Sequence, residues 1–272
     1  MPKPLKVLLV GDVVGRPGRV AVGRLVPALR EELGVDLVVV NCENAAGGAG
    51  ITPNTAEDLF RAGADVLTSG NHVWRKKEVF ELLKLDHRVL RPANYPESAP
   101  GFGSVVVESL GGQKVGVLNL QGRTFMEPID CPFRTALKEV ERLHMVTPVI
   151  LVDMHAEATS EKVALGWFLD GKVSCVVGTH THIPTADERI LPKGTAYQTD
   201  LGMTGPYESV IGRKVDQILE RFLSGYMVRS DVAEGDIRLC GALVEIDPVT
   251  GKASRIERIL RTLDERVSGA ER

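Results

Sequence analysis

Five times along this chain, a short apolar run rich in β-branched residues gives way to a side chain that can bind a metal ion. Leu5 to Val10 is followed by Asp12, and Asp36 to Asn41 by Glu43 and Asn44. Asp65 to Thr68 is followed by Asn71 and His72, Pro148 to Asp153 by His155, and Val173 to Val177 by His180 and His182. Apolar runs of this length read as strands buried on both faces, as in an α/β core. Ligands in such sheets bind outside the carboxyl ends of the strands. Side chains far apart in sequence are therefore expected to converge on one rim, whereas chance would scatter them over helices and loops. Four of the six histidines stand at these strand ends; His87 and His144 do not, and read as surface or packing residues. His180 and His182, at alternate positions of extended chain, should point the same way.

Taken singly, each of these residues has an ordinary explanation. Asp12 could form a turn or cap a helix, and Asn71 after Gly70 could sit in a turn. Glu43 could be an exposed loop charge and His155 a satisfied core histidine. Their common position is what argues for a site, because clustered His and carboxylate side chains in a cleft are what metal sites require.

The 272 residues, 43% hydrophobic and 25% charged, suffice for one large domain with a substantial core, so a single domain over 1–272 is expected. A net charge of -3 implies no bulk attraction to nucleic acid or anionic membrane. Cys42, Cys131, Cys175 and Cys240 are widely spaced and read as free thiols in a reducing compartment. The first apolar run is cut short by Asp12, too soon for a signal peptide or a membrane span, which points to the cytoplasm.

Between the runs, helices are expected up to about Leu33, from Thr52 or Pro53 onward, and over Trp74 to Leu83, Arg134 to His144, Ser160 to Leu169 and Lys214 to Leu223. Weaker strands at Ser104 to Ser109 and Lys114 to Leu120 flank Gly111-Gly112, a hairpin signal. Short strands near Arg189 to Leu191, Thr195 to Tyr197, Leu239 to Ile246 and Arg255 to Leu260 suggest mixed sheets. The aperiodic stretch 121–133 reads as a lid or active-site loop. Asp200 to Tyr207 reads as a glycine-rich loop, and the loops Arg123 to Phe133 and Gly202 to Tyr207 are expected to wall the cleft. The tail past Leu263 is polar.

The donor set is nitrogen and oxygen without thiolate, which suits iron, manganese or zinc and argues against a structural zinc site. Two carboxylates, four histidines and two asparagines exceed what one ion needs. Two ions roughly 3.5–4 Å apart would use them.

In order along the chain, Gly11-Asp12, Glu43-Asn44, Gly70-Asn71-His72, His155 and Gly178-Thr179-His180-Thr181-His182 resemble the blocks of the calcineurin-like metallophosphoesterase superfamily. Gly-Asp-Val-Val-Gly, Asn-Cys-Glu-Asn-Ala, Gly-Asn-His-Val-Trp and Gly-Met-Thr-Gly-Pro-Tyr are similar to its YmdB-like branch of bacterial phosphodiesterases. The likeness runs from Asp12 to about Gly212. It implies an α/β fold, a four-layer sandwich of two mixed β-sheets flanked by helices. It also implies two metal ions per chain, often iron or manganese, and hydrolysis of phosphodiesters such as 2′,3′-cyclic nucleotides by a metal-activated hydroxide.

By motif position, the resemblance gives metal one Asp12, Glu43, Asn44 and His182. Metal two takes Glu43, Asn71, His155 and His180, with Glu43 bridging, and His72 is the proton donor to the leaving oxygen. Where the superfamily has Asp-x-His, this chain has Asp12-Val13-Val14, so Asn44 is the substitute donor through its carbonyl oxygen. Val73 replaces the acidic residue that often follows Gly-Asn-His, so another group must set the His72 tautomer. The expected partner is a small phosphodiester or cyclic nucleotide; RNA as substrate and a homo-oligomer are compatible with the sequence, and no membrane is expected. The cations placed near the rim are Arg16, Arg19 and Arg123.

Two other readings compete. In a nucleotide-binding Rossmann domain Gly11, Gly15 and Gly18 would cradle a pyrophosphate, but their spacing is wrong and Asp12 carries the wrong charge. A metal-binding regulatory protein with little or no turnover would need the same ligands, and only turnover separates it from an enzyme.

Overall fold

The computed structural model describes residues 3–263. In chain order the elements are β1 (Leu5–Val10), β2 (Asp12–Val13), α1 (Gly15–Leu33), β3 (Leu37–Asn41), α2 (Pro53–Arg61), β4 (Val66–Thr68), α3 (Val79–Leu85), β5 (Ser104–Glu108), β6 (Lys114–Gln121) and α4 (Pro132–His144). They continue with β7 (Ile150–His155), α5 (Thr159–Leu169), β8 (Cys175–Thr179), β9 (Arg189–Ile190), β10 (Ala196–Gln198), β11 (Met203–Pro206), α6 (Val215–Ser224), β12 (Ile237–Ile246) and β13 (Ala253–Thr262).

The strands form two sheets. One runs β2-β11-β12-β1-β3-β4 with β13 paired to β12, and the other β5-β6-β7-β8-β10-β9. Both are mixed: β1, β3 and β4 are mutually parallel, as are β6, β7, β8 and β10, while β12, β5 and β9 run antiparallel to their neighbours.

Alternation within each strand builds the layers. In β1, Leu5, Val7 and Leu9 face the core between the sheets, and Leu8 and Val10 face the helices. In β3, Leu37 and Val39 face inward and Val38 and Val40 outward. A strand covered on both faces has no polar face, which is why these runs are continuously apolar. Val22, Val26 and Leu29 of α1, Leu59 of α2 and Leu83 of α3 close the outer face of the first sheet. Val140 and Leu143 of α4 and Leu165 and Leu169 of α5 close that of the second. The result is the expected four layers. All four cysteines are free. Among the described residues no helix is long and apolar enough to cross a membrane.

Local signals account for the ends. Thr52 caps α2 in a box with Thr55, with Pro53 in the first turn. Gly34 ends α1 in the left-handed region at φ 64°.

Two expectations need correction. The helix over Trp74 to Leu83 is broken into a 3-10 turn, Val73–Arg75, and α3. Trp74 stacks on Phe80 at 5.6 Å and meets Tyr95 edge-on at 5.4 Å, which holds the turn beside His72. The glycine-rich loop at 200–207 contains a strand, β11, paired in parallel with β2. The two chains approach so closely at Gly11 that a Cβ there would lie 2.0 Å from the Gly202 carbonyl oxygen. Glycine and proline hid this pairing from any strand pattern. The polar tail past Leu263 lies outside the described residues.

Candidate metal centre

The carboxyl ends of β1, β3, β4, β7 and β8 meet at one cleft, and the sequence-distant side chains come together there. The backbone N–H of His180 donates to Asp12 Oδ2 at 3.0 Å. That of His72 donates to Glu43 Oε1 at 2.6 Å. His155 Nε2 lies 3.1 Å from Asn71 Oδ1, 3.0 Å from His180 Nδ1 and 3.4 Å from Glu43 Oε1. On the other side of Glu43, His182 Nε2 is 3.1 Å from Asn44 Nδ2 and 3.9 Å from Asp12 Oδ1. All eight residues predicted from the sequence are therefore in one place.

Each imidazole has one nitrogen committed to an outer partner. A carbonyl only accepts, so the 2.9 Å contact of His182 Nδ1 with the Ile211 oxygen puts the proton on Nδ1 and leaves Nε2 facing inward. Thr179 Oγ1 donates to Asp153 Oδ1 at 2.7 Å, so it accepts from His155 Nδ1 at 3.0 Å. His180 Nε2 lies 3.1 Å from Glu157 Oε2, and its Nδ1 faces inward, 3.0 Å from His155 Nε2. His72 Nδ1 donates to Asn44 Oδ1 at 2.9 Å, and this asparagine replaces the missing acidic residue as the group that sets its tautomer. Asn41 supports the set from beneath, donating to Asp153 Oδ2 at 2.9 Å and accepting from the Glu43 N–H at 3.0 Å.

Burial dominates the electrostatics. It drives the His180 pKa down to about 2, with His155 and His182 adding to the effect, so His180 is a neutral imidazole, the form that binds metals. Burial also opposes charge on His155, but the carboxylates of Glu43, Asp12 and Asp153 outweigh it and hold the imidazole up at about 9. Burial raises Asp12, against the pull of His182 and His155. For Glu43 burial is overcome by His155 and His72, and its pKa is lowered.

Asp12 Oδ1 and Glu43 Oε2 are buried without a hydrogen-bond partner among the described residues. Unsatisfied buried carboxylate oxygens are costly, and a cation between them and the inward imidazole nitrogens would satisfy both. The donor chemistry thus fits hard or borderline metal ions. Among the described residues, however, no three His, Cys, Asp or Glu side chains form a ready cage. The donors are hydrogen-bonded to one another instead, and two of the set are asparagines.

Some details depart from the sequence reading. His180 and His182 are not in extended chain; both lie at positive φ, 101° and 68°, so they converge through a left-handed turn and not through strand alternation. Asn44 turns its amide oxygen to His72 and its nitrogen to His182, so oxygen ligation would need the amide to rotate.

Neither 123–133 nor 202–207 lines the cleft of about 320 Å³; Val14, Gly48, Glu157, Thr181, Ile211 and Arg213 do so beside the histidines and Asn44. Arg16 and Arg19 line a separate pocket with Asp58 and Arg61. Glu157 and Arg213 are the functional candidates that pattern reasoning missed. The position of Glu157 two residues past His155 was a usable signal, whereas nothing local marks Arg213.

The sequence profile of the family described as YmdB-like protein matches residues 8–259. A Bacillus subtilis relative, named 2′,3′-cyclic-nucleotide 2′-phosphodiesterase, is 49% identical over 94% of this chain and 97% of its own. Among solved structures, a hypothetical protein from Thermus thermophilus superposes with a TM-score of 0.89 at 43% identity, covering 95% of this chain and 99% of that one. A Mycoplasma pneumoniae protein described as a novel phosphatase also gives 0.89, at 34% identity over 100% and 98% of the two chains.

Proposed function

The chain belongs to the YmdB-like family, and on that premise we propose that it is a metal-dependent phosphodiesterase acting on substrates such as 2′,3′-cyclic nucleotides. The Bacillus subtilis relative carries that activity in its name. The observation that carries the reading is the pair of buried, unpartnered carboxylate oxygens of Asp12 and Glu43, set among imidazole nitrogens whose other sides are already bonded.

Asp12, Glu43, Asn44 and His182 hold one ion in this reading, and Glu43, Asn71, His155 and His180 the other, with Glu43 shared. Iron or manganese suits these donors best, and zinc is compatible with them. Bound ions supply Lewis-acid charge for the phosphoryl oxygens and lower the pKa of water. The protein's own residues do the rest. Asn41 and the Thr179–Asp153 pair fix Glu43 and His155, and the Ile211 carbonyl fixes His182.

His72 is the most exposed of the four imidazoles, at 30% against 21% for His180, 12% for His182 and 0% for His155. It is therefore the one free to meet substrate. Its Nδ1–H is held by Asn44, so a proton for the leaving oxygen would come from Nε2 of the doubly protonated imidazolium. Burial lowers its pKa, and Glu43 at 3.4 Å works the other way.

The test is a hydrolysis screen of metal-loaded protein on cyclic diesters, linear diesters and simple monoesters. Arg213 is the one cationic side chain among the described residues that line the cleft, so a clamp for a dianion is lacking. Diesters should be cleaved faster. A clear preference for monoesters contradicts the diesterase reading, and no turnover by loaded protein favours a regulatory role.

A further inference from the structure

One wall of the cleft is a short turn at residues 209–213, just before α6. It is tied down from several sides. Val210 and Arg213 exchange backbone hydrogen bonds of 2.9 and 3.0 Å. Ser209 Oγ donates to the Pro206 carbonyl at 2.6 Å and accepts from the Gly212 N–H at 2.8 Å. Inside this frame Ile211 sits at φ 46°, a left-handed conformation in which a β-branched residue is a true outlier. Its carbonyl oxygen points to His182 Nδ1, while its side chain is 49% exposed and lines the cleft. Glycine would take this backbone without strain. An isoleucine there adds one thing that glycine cannot, an apolar surface beside the histidines.

Two residues on, Arg213 lines the same cleft, half-buried. Nη1 donates to the Ser230 carbonyl at 3.1 Å and Nη2 to the Gly48 carbonyl. Gly48, at φ 84°, has no Cβ, and one built there would lie 2.8 Å from the guanidinium carbon. Backbone oxygens thus fix the fork without cancelling its charge. Among the described residues no carboxylate lies within ion-pair distance of Arg213; Asp231 acts on it only from farther away. A half-buried guanidinium without a counter-ion, opening on a cleft, is a site for an anion.

We propose that this turn is the substrate-recognition wall, with Arg213 pairing with the phosphoryl anion and Ile211 packing against the organic group that the ester carries. The inference rests on the phosphodiesterase reading and narrows it. The favoured substrate is a singly charged diester with an apolar or planar substituent, the chemistry of a nucleoside or aryl ester. A small dianionic monoester has nothing to lay against Ile211.

The experiment compares wild type with Arg213→Met, Arg213→Gln and Ile211→Ala, each checked for fold and metal content. Inorganic phosphate binding to the metal-loaded proteins is measured by calorimetry, and KM and kcat are measured on a 2′,3′-cyclic nucleotide. Loss of a charge-assisted hydrogen bond predicts that Arg213→Met weakens phosphate roughly 10- to 100-fold and raises KM by a similar factor. Its metals should be retained and its kcat changed far less. Ile211→Ala should leave phosphate affinity alone and raise KM for the nucleotide only.

Unchanged phosphate affinity in folded, metal-bearing Arg213→Met overturns the proposal. If that variant does not fold, Arg213→Gln decides in the same way, since it keeps a donor for the Gly48 and Ser230 carbonyls. An unchanged KM in Ile211→Ala removes the apolar contact. Failure of wild type to cleave any diester sinks the phosphodiesterase reading, while the phosphate affinities still decide the role of Arg213.

Discussion

A histidine that is to serve in a cleft must have one of its nitrogens spoken for, since otherwise its tautomer and ring angle are free. Three imidazoles here meet that condition through hydrogen bonds to a carbonyl, a threonine hydroxyl and an amide oxygen, and His180 sets Nε2 against the Glu157 carboxylate. His72 differs in being the most exposed of the four and in lining the cleft. Its role separates by leaving group. A general acid contributes roughly 10²–10⁴-fold when the departing oxygen needs a proton and much less when it leaves readily as an anion. His72→Ala should therefore keep its metals. It should lose far more activity on a 2′,3′-cyclic nucleotide, which expels a ribose hydroxyl, than on bis(p-nitrophenyl) phosphate. Equal losses on both substrates, with metals retained, would move His72 from proton donation to positioning.

Among elements, the one that holds the ligand turn is α5. Lys162, 1% exposed, donates to Asp200 Oδ2 at 2.7 Å and to the Thr179 carbonyl at 3.4 Å. The same carboxylate accepts from the Thr181 N–H at 3.2 Å and its hydroxyl at 2.7 Å, and from the Gly202 N–H at 2.8 Å. A buried ion pair thus pins the residue between the two left-handed histidines. Removing one partner strands the other charge, so Lys162→Met should cost about 3–5 kcal/mol in denaturant unfolding. Adding Asp200→Asn should recover a large part of that loss. A single-variant loss below about 1 kcal/mol would mean that the pair is relieved by water or rearrangement.

None of this is visible in the helix pattern, where Lys162 reads as one more solvated lysine. What is legible at this scale is the set of doubly buried strands, since continuous apolar runs need no alternation to betray them. The pairing of β2 with β11 is not legible, because the glycines that permit it also erase the strand pattern.

For the whole molecule, the gathering of Asp12, Glu43, Asn44, Asn71, His72, His155, His180 and His182 follows from one rule about strand ends, whereas the four layers came from the family resemblance. That rule survives errors in individual boundaries, which is why the site was legible although the Trp74 helix was not. Arg213 escapes the rule. It belongs to a turn, not a strand end, and reaches the cleft by bonding to Gly48, 165 residues away in sequence. Contacts of that kind depend on the final packing of the sheets and leave no local trace.

In the proposed function the gathered donors hold two ions on which phosphodiester hydrolysis depends. The direct measurement strips the protein with a chelator and returns manganese or iron stepwise. Hydrolysis of a 2′,3′-cyclic nucleotide and bound metal per chain are followed together. The account predicts no activity in the stripped protein and full activity only as the second equivalent binds. Full activity in the stripped protein, or saturation of both metal and rate at one equivalent, would contradict it.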